Sequence, residues 1–155
     1  MKDIAERLGS ATDLAAIQEI VRAAGRSVAR AHGSTLVLRE DDQCFYADED
    51  AISPLWKGQR FPITQCISGW AMLHAEPAVV PDVYRDERIP VEAYRPTFVK
   101  SLAMVPIGDE PIGAIGAYWA TYHTATASEL AALRELARLT ASALARGSQR
   151  FEVAR

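Results

Sequence analysis

Two consecutive runs decide the fold: Lys100-Ser101-Leu102-Ala103-Met104-Val105-Pro106-Ile107 and, after Gly108-Asp109-Glu110-Pro111, Ile112-Gly113-Ala114-Ile115-Gly116-Ala117-Tyr118-Trp119-Ala120-Thr121. Ser101–Ile107 and Ile112–Thr121 read as strands, with the Gly-Asp-Glu-Pro quartet as the turn between them. Both are apolar at nearly every position. Strand neighbours point to opposite faces, so a strand apolar on both belongs to a sheet covered on both sides. The rest of the chain must supply two covers.

One cover is helical. Downstream, Thr126 and Glu129 have the capping-box spacing, in which each side chain satisfies a free amide near the other. Leu130, Leu133, Leu136, Ala137, Thr140 and Leu144 then trace an apolar stripe, with Arg134, Glu135 and Arg138 off it. Gly147 is the expected stop, and the tail to Arg155 frays or continues the helix. Upstream, Ser10, Thr12 or Asp13 can cap a helix whose apolar face is Leu14, Ile17, Ile20, Val21, Ala24 and Val28. Gly33 is read as its end, and a short helical lead-in is expected before Ser10.

Thr35–Glu40 and Cys44–Ala47 read as a hairpin turning at Asp41-Asp42. Asp48-Glu49-Asp50 leads into a segment, Ser53–Pro62, whose two prolines and glycine argue against any long element. A short helix is expected from Ile67 or Ser68 to His74, and a short strand at Ala78–Val80. Residues 82–96 form a charged loop with a helical turn at Val91–Tyr94. Strands between terminal helices imply an α+β fold with a central antiparallel sheet. The terminal helices take one face, and loops and short helices take the other. A face covered irregularly is where a pocket is expected.

The chain has 155 residues, 49% hydrophobic and 24% charged, with net charge −3. That suits one soluble unit spanning 1–155 with a core over about 10–147, and excludes disorder, collagen-like repeats and disulfide scaffolds. A mildly acidic balance gives no general surface for nucleic acid or anionic lipid. No run approaches the length of a membrane helix, and Met1–Glu6 has no apolar signal core. With two cysteines only, the expected location is cytoplasmic.

Four motifs in order resemble a known family. Ile67-Ser68-Gly69-Trp70-Ala71, Val80-Pro81-Asp82-Val83 with Asp86 and Arg88, Lys100–Ile107, and Pro111–Tyr118 are together similar to the GAF domain, a PAS-related small-molecule-sensing module. The wording around Phe45–Asp50, Trp56–Arg60 and Ala93–Pro96 looks most like amino-terminal GAF domains of bacterial sensor histidine kinases. The resemblance implies a non-catalytic sensory role in a two-component system. It also implies a homodimer through the terminal helices and an output kinase domain in the parent protein. The chain itself lacks a phosphoacceptor-histidine context and a glycine-rich ATP lid.

Other chemistries associated with the fold are weighed residue by residue. GAF-type free methionine sulfoxide reductases carry cysteines in the loop matching Asp82–Pro96, and that loop has none here. Cys44 and Cys66 read as small buried hydrophobes, although a redox enzyme using either is the runner-up. Bilin attachment uses Cys-His, which is absent. Asp42-Gln43-Cys44-Phe45 is similar to a second thiol-linkage motif of some cyanobacterial photoreceptors, but Cys44 falls in a sheet strand. His32, His74 and His123 have no metal spacing. Bilin and haem are therefore disfavoured, no metal is expected, and the cofactor is left unknown. The phosphodiesterase cyclic-nucleotide signature is missing. Lys57, Arg60, Arg85, Arg88, Arg95 and Lys100 lie near the cover and leave room for an anionic ligand.

An aromatic cover remains. Trp56, Phe61, Cys66, Trp70, Asp82, Tyr84, Arg88, Tyr94, Ser101 and Tyr118 are the pocket candidates. At most one of Tyr118 and Trp119 faces the pocket, by strand alternation. The competing reading is a filled second core in a pure dimerisation module.

Overall fold

A computed structural model describes residues 1–153 of the chain. Among the described residues, six strands form one antiparallel sheet in the order β3-β2-β1-β6-β5-β4. They are β1 (Gly33–Glu40), β2 (Gln43–Ala51), β3 (Arg60–Pro62), β4 (Ala78–Val80), β5 (Ser101–Ile107) and β6 (Gly113–Trp119). Five helices accompany them: α1 (Lys2–Ser10), α2 (Leu14–Val28), α3 (Ile67–His74), α4 (Val91–Tyr94) and α5 (Ala127–Val153). The fold is α+β, as the sequence pattern implies.

The two expected covers are both present. Leu36, Ala103, Val105, Ile107, Ile115, Ala117 and Trp119 pack against Leu8, Ile17, Ile20, Val21, Leu133 and Leu136 from α1, α2 and α5. The alternate positions Val37, Leu102, Met104, Ala114 and Tyr118 face α3, α4 and the connecting loops. Tyr118 and Trp119 thus fall on opposite faces. Asp13 caps α2 by accepting from the Ala16 amide, 2.8 Å. The Thr126–Glu129 capping box forms in both directions, at 3.0 and 2.8 Å.

Several local expectations need correction. Gly33 does not end α2. That helix stops at Val28, with Arg30 taking the left-handed turn at φ 50°, and Gly33 opens β1. The acidic run Asp48-Glu49-Asp50 is not a lead-out but the second half of β2. A register shift opposite Leu36/Val37 leaves Ala47 without a strand partner. Such a bulge re-aims the residues that follow it. Within the segment read as irregular, Arg60–Pro62 pairs with Gln43–Phe45 as an edge strand, a place where proline is tolerated. α5 passes through Gly147 to Val153. Residues 154–155 lie outside the described residues. Among the described residues, no helix is long and apolar enough to cross a membrane.

Candidate functional site

The irregular face of the sheet carries the aromatic residues. Tyr46 of β2 lies edge-on to Trp56 and Phe61, with ring centroids 5.6 and 5.4 Å apart. Trp56 also meets Tyr94 of α4 at 4.6 Å and Tyr118 of β6 at 5.4 Å. Gly116 makes room for this cluster: a Cβ there would crowd the Tyr118 hydroxyl and Thr35 Oγ1. Those two oxygens share a hydrogen bond of 2.8 Å.

Trp56 is placed by a carboxylate. Glu49, turned toward the cover beyond the bulge, accepts from the amides of Leu55, Trp56 and Lys57 at 2.8, 2.9 and 2.8 Å. Charge-assisted bonds of this kind are the stronger class. The indole Nε1–H then donates to Ala93 O, 2.9 Å, tying the loop to α4. The neighbouring Asp48 joins α2 to the same loop through Arg22 (2.9 Å) and Lys57 (3.1 Å). Burial alone would raise its carboxyl, but those hydrogen bonds hold it below the ordinary value.

Below the aromatics lie two thiols. Cys44 is fully buried on β2, and Cys66 stands at the amino-terminal cap of α3, 5% exposed. Cys44 pairs across the strands with Phe61, next to the Pro62 carbonyl that Cys66 contacts, so the two thiols lie near enough to bear on each other's ionisation. Cys66 Sγ also lies 3.4 Å from Ser68 Oγ and 3.5 Å from Pro62 O, and Ser68 Oγ is 3.1 Å from Tyr46 Oη. The neighbouring Cys44 thiol, then Ser68 and the Gly69 amide, bring Cys66 down to about 7 against the opposing effect of burial. The neighbouring Cys66 thiol and burial push Cys44 up. Gly69 lets α3 sit this close: a Cβ would overlap the Ile63 carbonyl oxygen.

Tyr46, Trp56, Phe61, Cys66, Pro90, Ala93 and Tyr94 enclose a cavity of about 10 Å³. The Tyr94 hydroxyl is buried and is the one buried side-chain polar atom among the described residues without a hydrogen-bond partner. Native structures rarely leave such a group unpaired. Desolvation pushes the Tyr46 and Tyr94 phenols well above their ordinary range, so both stay neutral donors.

The pocket candidates therefore divide. Trp56, Phe61, Cys66 and Tyr94 line the cavity. Trp70 and Tyr118 pack in the same core without lining it. Asp82 caps a 3₁₀ turn by accepting from the Tyr84 amide, 3.0 Å, and Tyr84 is exposed. Arg88 pairs with Asp86 at 2.6 Å and stacks on Trp70 at 4.3 Å. Ser101 falls on the helix-facing side by alternation and donates to Thr121 O, 2.7 Å. Tyr46, Pro90 and Ala93 were missed. The alternation of Cys44 and Tyr46 on β2 could have signalled Tyr46.

Among the described residues, no Asp, Glu, Lys, Arg or His lines the cavity. Lys57, Arg60, Arg85, Arg88 and Arg95 each pair with a carboxylate, and Lys100 lies over the Tyr122 ring at 5.2 Å. The histidines are engaged elsewhere. His32 Nδ1 accepts from the Ala120 amide, His74 stacks on Trp70, and His123 meets Glu129 at 2.7 Å. A larger open groove of about 710 Å³ runs along α5 past Val105, Pro106, Arg134 and Arg138. Its walls come from α5, the end of β5 and the turns beside them, and the orphaned hydroxyl and the thiols are not in it. The smaller cavity is the better site.

The sequence profile described as GAF domain matches residues 11–145. The chain belongs to the GAF domain family. Solved structures agree on the fold. The free methionine-R-sulfoxide reductase of Neisseria meningitidis, in complex with its substrate, is 19% identical. The match covers 96% of this chain and 88% of that one, with a TM-score of 0.83. The GAF domain of an Acinetobacter phosphoenolpyruvate-protein phosphotransferase is 12% identical, covering 97% and 94%, with a TM-score of 0.83. The chromophore-binding domain of the R. palustris bacteriophytochrome RpBphP3 is 12% identical, covering 96% and 61%, with a TM-score of 0.78. No curated protein sequence matches this GAF domain. Identities this low speak for the fold alone, so what the cavity of this GAF domain does is argued from its own residues.

Proposed function

We propose that this GAF domain is a non-catalytic sensory module of a bacterial signalling protein, a two-component sensor histidine kinase. On this reading it binds a small uncharged ligand between the sheet and its irregular cover. The observation that carries the reading is the aromatic cavity with an unpartnered Tyr94 hydroxyl and no Asp, Glu, Lys, Arg or His in its lining. Tyrosine and tryptophan pair an apolar body with a polar handle, and pockets of this make-up favour planar ligands with one acceptor. A pocket for a drug-sized molecule occupies roughly 300 Å³ or more, so ligand entry requires Trp56 and α4 to part.

That movement supplies the signal. Trp56 is tied to Ala93 on one side and, through Glu49, to β2 on the other. Asp48 on the same strand grips Arg22 of α2. Displacing the loop bears on α2, which packs beside α5. α5 has 27 residues, about 40 Å at 1.5 Å per residue, well beyond the strands it covers. We place the homodimer contact and the link to an output domain on these terminal helices. A ligand preferring the open cover then shifts the population of helix arrangements.

Two-dimensional amide NMR with phenol, indole and benzamide as probes tests the reading. The expected result is saturable shifts at the Trp56 indole N–H, Ala93 and Tyr94, followed by shifts in α2 and α5, on a protein that sediments as a dimer. Shifts confined to the open groove on α5, or none at millimolar probe, overturn ligand binding at this site. A monomer at high concentration overturns the dimer.

A further inference from the structure

The two cysteines are 22 positions apart in sequence and read singly as core filler, yet the fold brings both into the one buried cluster beneath the cavity. Cys66 is a cavity wall, and the fully buried Cys44 belongs to the same core cluster, paired across the strands with the cavity residue Phe61. Ser68 Oγ and the Pro62 carbonyl fix the Cys66 sulfur. The cavity, about 10 Å³, matches one water-sized molecule, and the unpartnered hydroxyl of Tyr94 belongs to the same wall. A hydrophobic core needs neither a thiol pair nor an unsatisfied phenol.

We infer that Cys44 and Cys66 form a peroxide-reactive dithiol site, with Cys66 as the nucleophile, Cys44 as the resolving thiol and hydrogen peroxide as the oxidant. This does not depend on the ligand reading above. Cys66, not Cys44, lines the cavity, and the neighbouring thiol, Ser68 and the Gly69 amide all ease its ionisation when peroxide arrives. Its sulfur attacks one peroxide oxygen: an S–O bond forms, the O–O bond breaks, and the departing hydroxide takes a proton to leave as water. Tyr94 O–H hydrogen-bonds to the departing oxygen and keeps its own proton. The Cys44 sulfur then attacks the Cys66 sulfenic acid. The S–S bond forms, the S–O bond breaks, and the Cys44 proton leaves in the second water. In sum two thiols are oxidised and one peroxide is reduced to two waters. A dithiol reductant restores the pair by exchange. The oxidised form ties β2 to the start of α3, closing the floor of the cavity.

The test is intact-mass spectrometry of the whole chain after hydrogen peroxide, with and without dithiothreitol. The expected result is a monomeric species lacking two hydrogens, reversed by dithiothreitol, with a Cys44–Cys66 peptide on digestion. Cys44→Ser is expected to stop at a sulfenic acid that dimedone traps, and Cys66→Ser to give neither product. Tyr94→Phe is expected to slow disulfide formation about tenfold, as for one hydrogen bond lost to a developing charge. Because the serine variants can lose stability, the wild-type result stands on its own. If both thiols remain alkylatable in denaturant after peroxide, or if Cys66 proceeds to sulfinic acid with Cys44 unmodified, the inference is wrong. Disulfide formation at an unchanged rate in Tyr94→Phe removes Tyr94 from the site.

Discussion

The two faces of the sheet are built from alternate residues of the same strands, yet they differ in kind. The helix face is aliphatic and regular: Leu36, Val105, Ile107 and Ile115 meet Leu133, Leu136, Val21 and Ile17. Its Thr140 hydroxyl is satisfied within α5, donating to Leu136 O at 2.7 Å. The cover face holds Tyr46, Trp56, Tyr94 and Tyr118 with both cysteines, and one of its hydroxyls has no partner. Regular helices bury a surface without needing polar contacts from it. A cover of loops and short helices must be pinned by side chains such as Glu49, and pinning leaves gaps. Stability is concentrated on one face and chemical opportunity on the other.

The largest effect is expected where that division is sharpest. Leu136→Ala, at a fully buried site on the helix face, should cost about 3 kcal/mol through lost transfer energy and a cavity. Chemical denaturation measures it. A cost below about 1 kcal/mol would mean that the helix layer repacks freely, which breaks the contrast. Glu49→Ala should cost about 2 kcal/mol, since three loop amides lose a charged acceptor. Its signature is local: amide exchange should accelerate at 55–57 while α5 stays protected. Uniform acceleration would show that the cover is no weaker than the helix layer.

Asp48 sharpens the comparison through pH. Its folded-state carboxyl is held below the ordinary 3.8. Its contribution is therefore complete above the unfolded value and fades as pH falls through the lower, folded one. Asp48→Asn should remove part of the acid sensitivity below about pH 4 while lowering stability at pH 7. Denaturation curves at both pH values check this, and equal losses at the two would contradict it.

Most of this architecture is legible in the sequence because it rests on local signals. The apolar runs at 101–107 and 112–121, the Thr126–Glu129 box and the Val91–Tyr94 turn all name their own elements. What escaped depends on partners distant in the chain. Asp48 and Asp50 look like turn residues until Arg22 and Arg26, 26 and 24 positions away, neutralise them within a strand. β3 exists only because β2 offers it an edge. Cys44 and Cys66 join one buried cluster only after β3 and α3 fold back over β2, so no spacing rule could pair them. Of the pocket candidates, Asp82, Arg88 and Ser101 were polar residues near the motifs. Each turns out to serve a turn, an ion pair or a strand end.

The smallest expected effect has the opposite sign. Tyr94→Phe deletes a buried hydroxyl that has no partner while keeping the ring against Trp56 at 4.6 Å. A buried donor left unmade carries its desolvation cost into the native state. Removing it should therefore stabilise the fold, by roughly 0.5–1 kcal/mol. The matching change on the helix face, Thr140→Val, removes a hydroxyl that does have a partner and should not stabilise. If both substitutions destabilise alike, the Tyr94 hydroxyl is satisfied in solution and the two faces are equally complete. If only Tyr94→Phe stabilises, while its reaction with peroxide slows, the cover face holds a group at odds with packing and in step with chemistry. Native proteins keep such conflicts where function requires them.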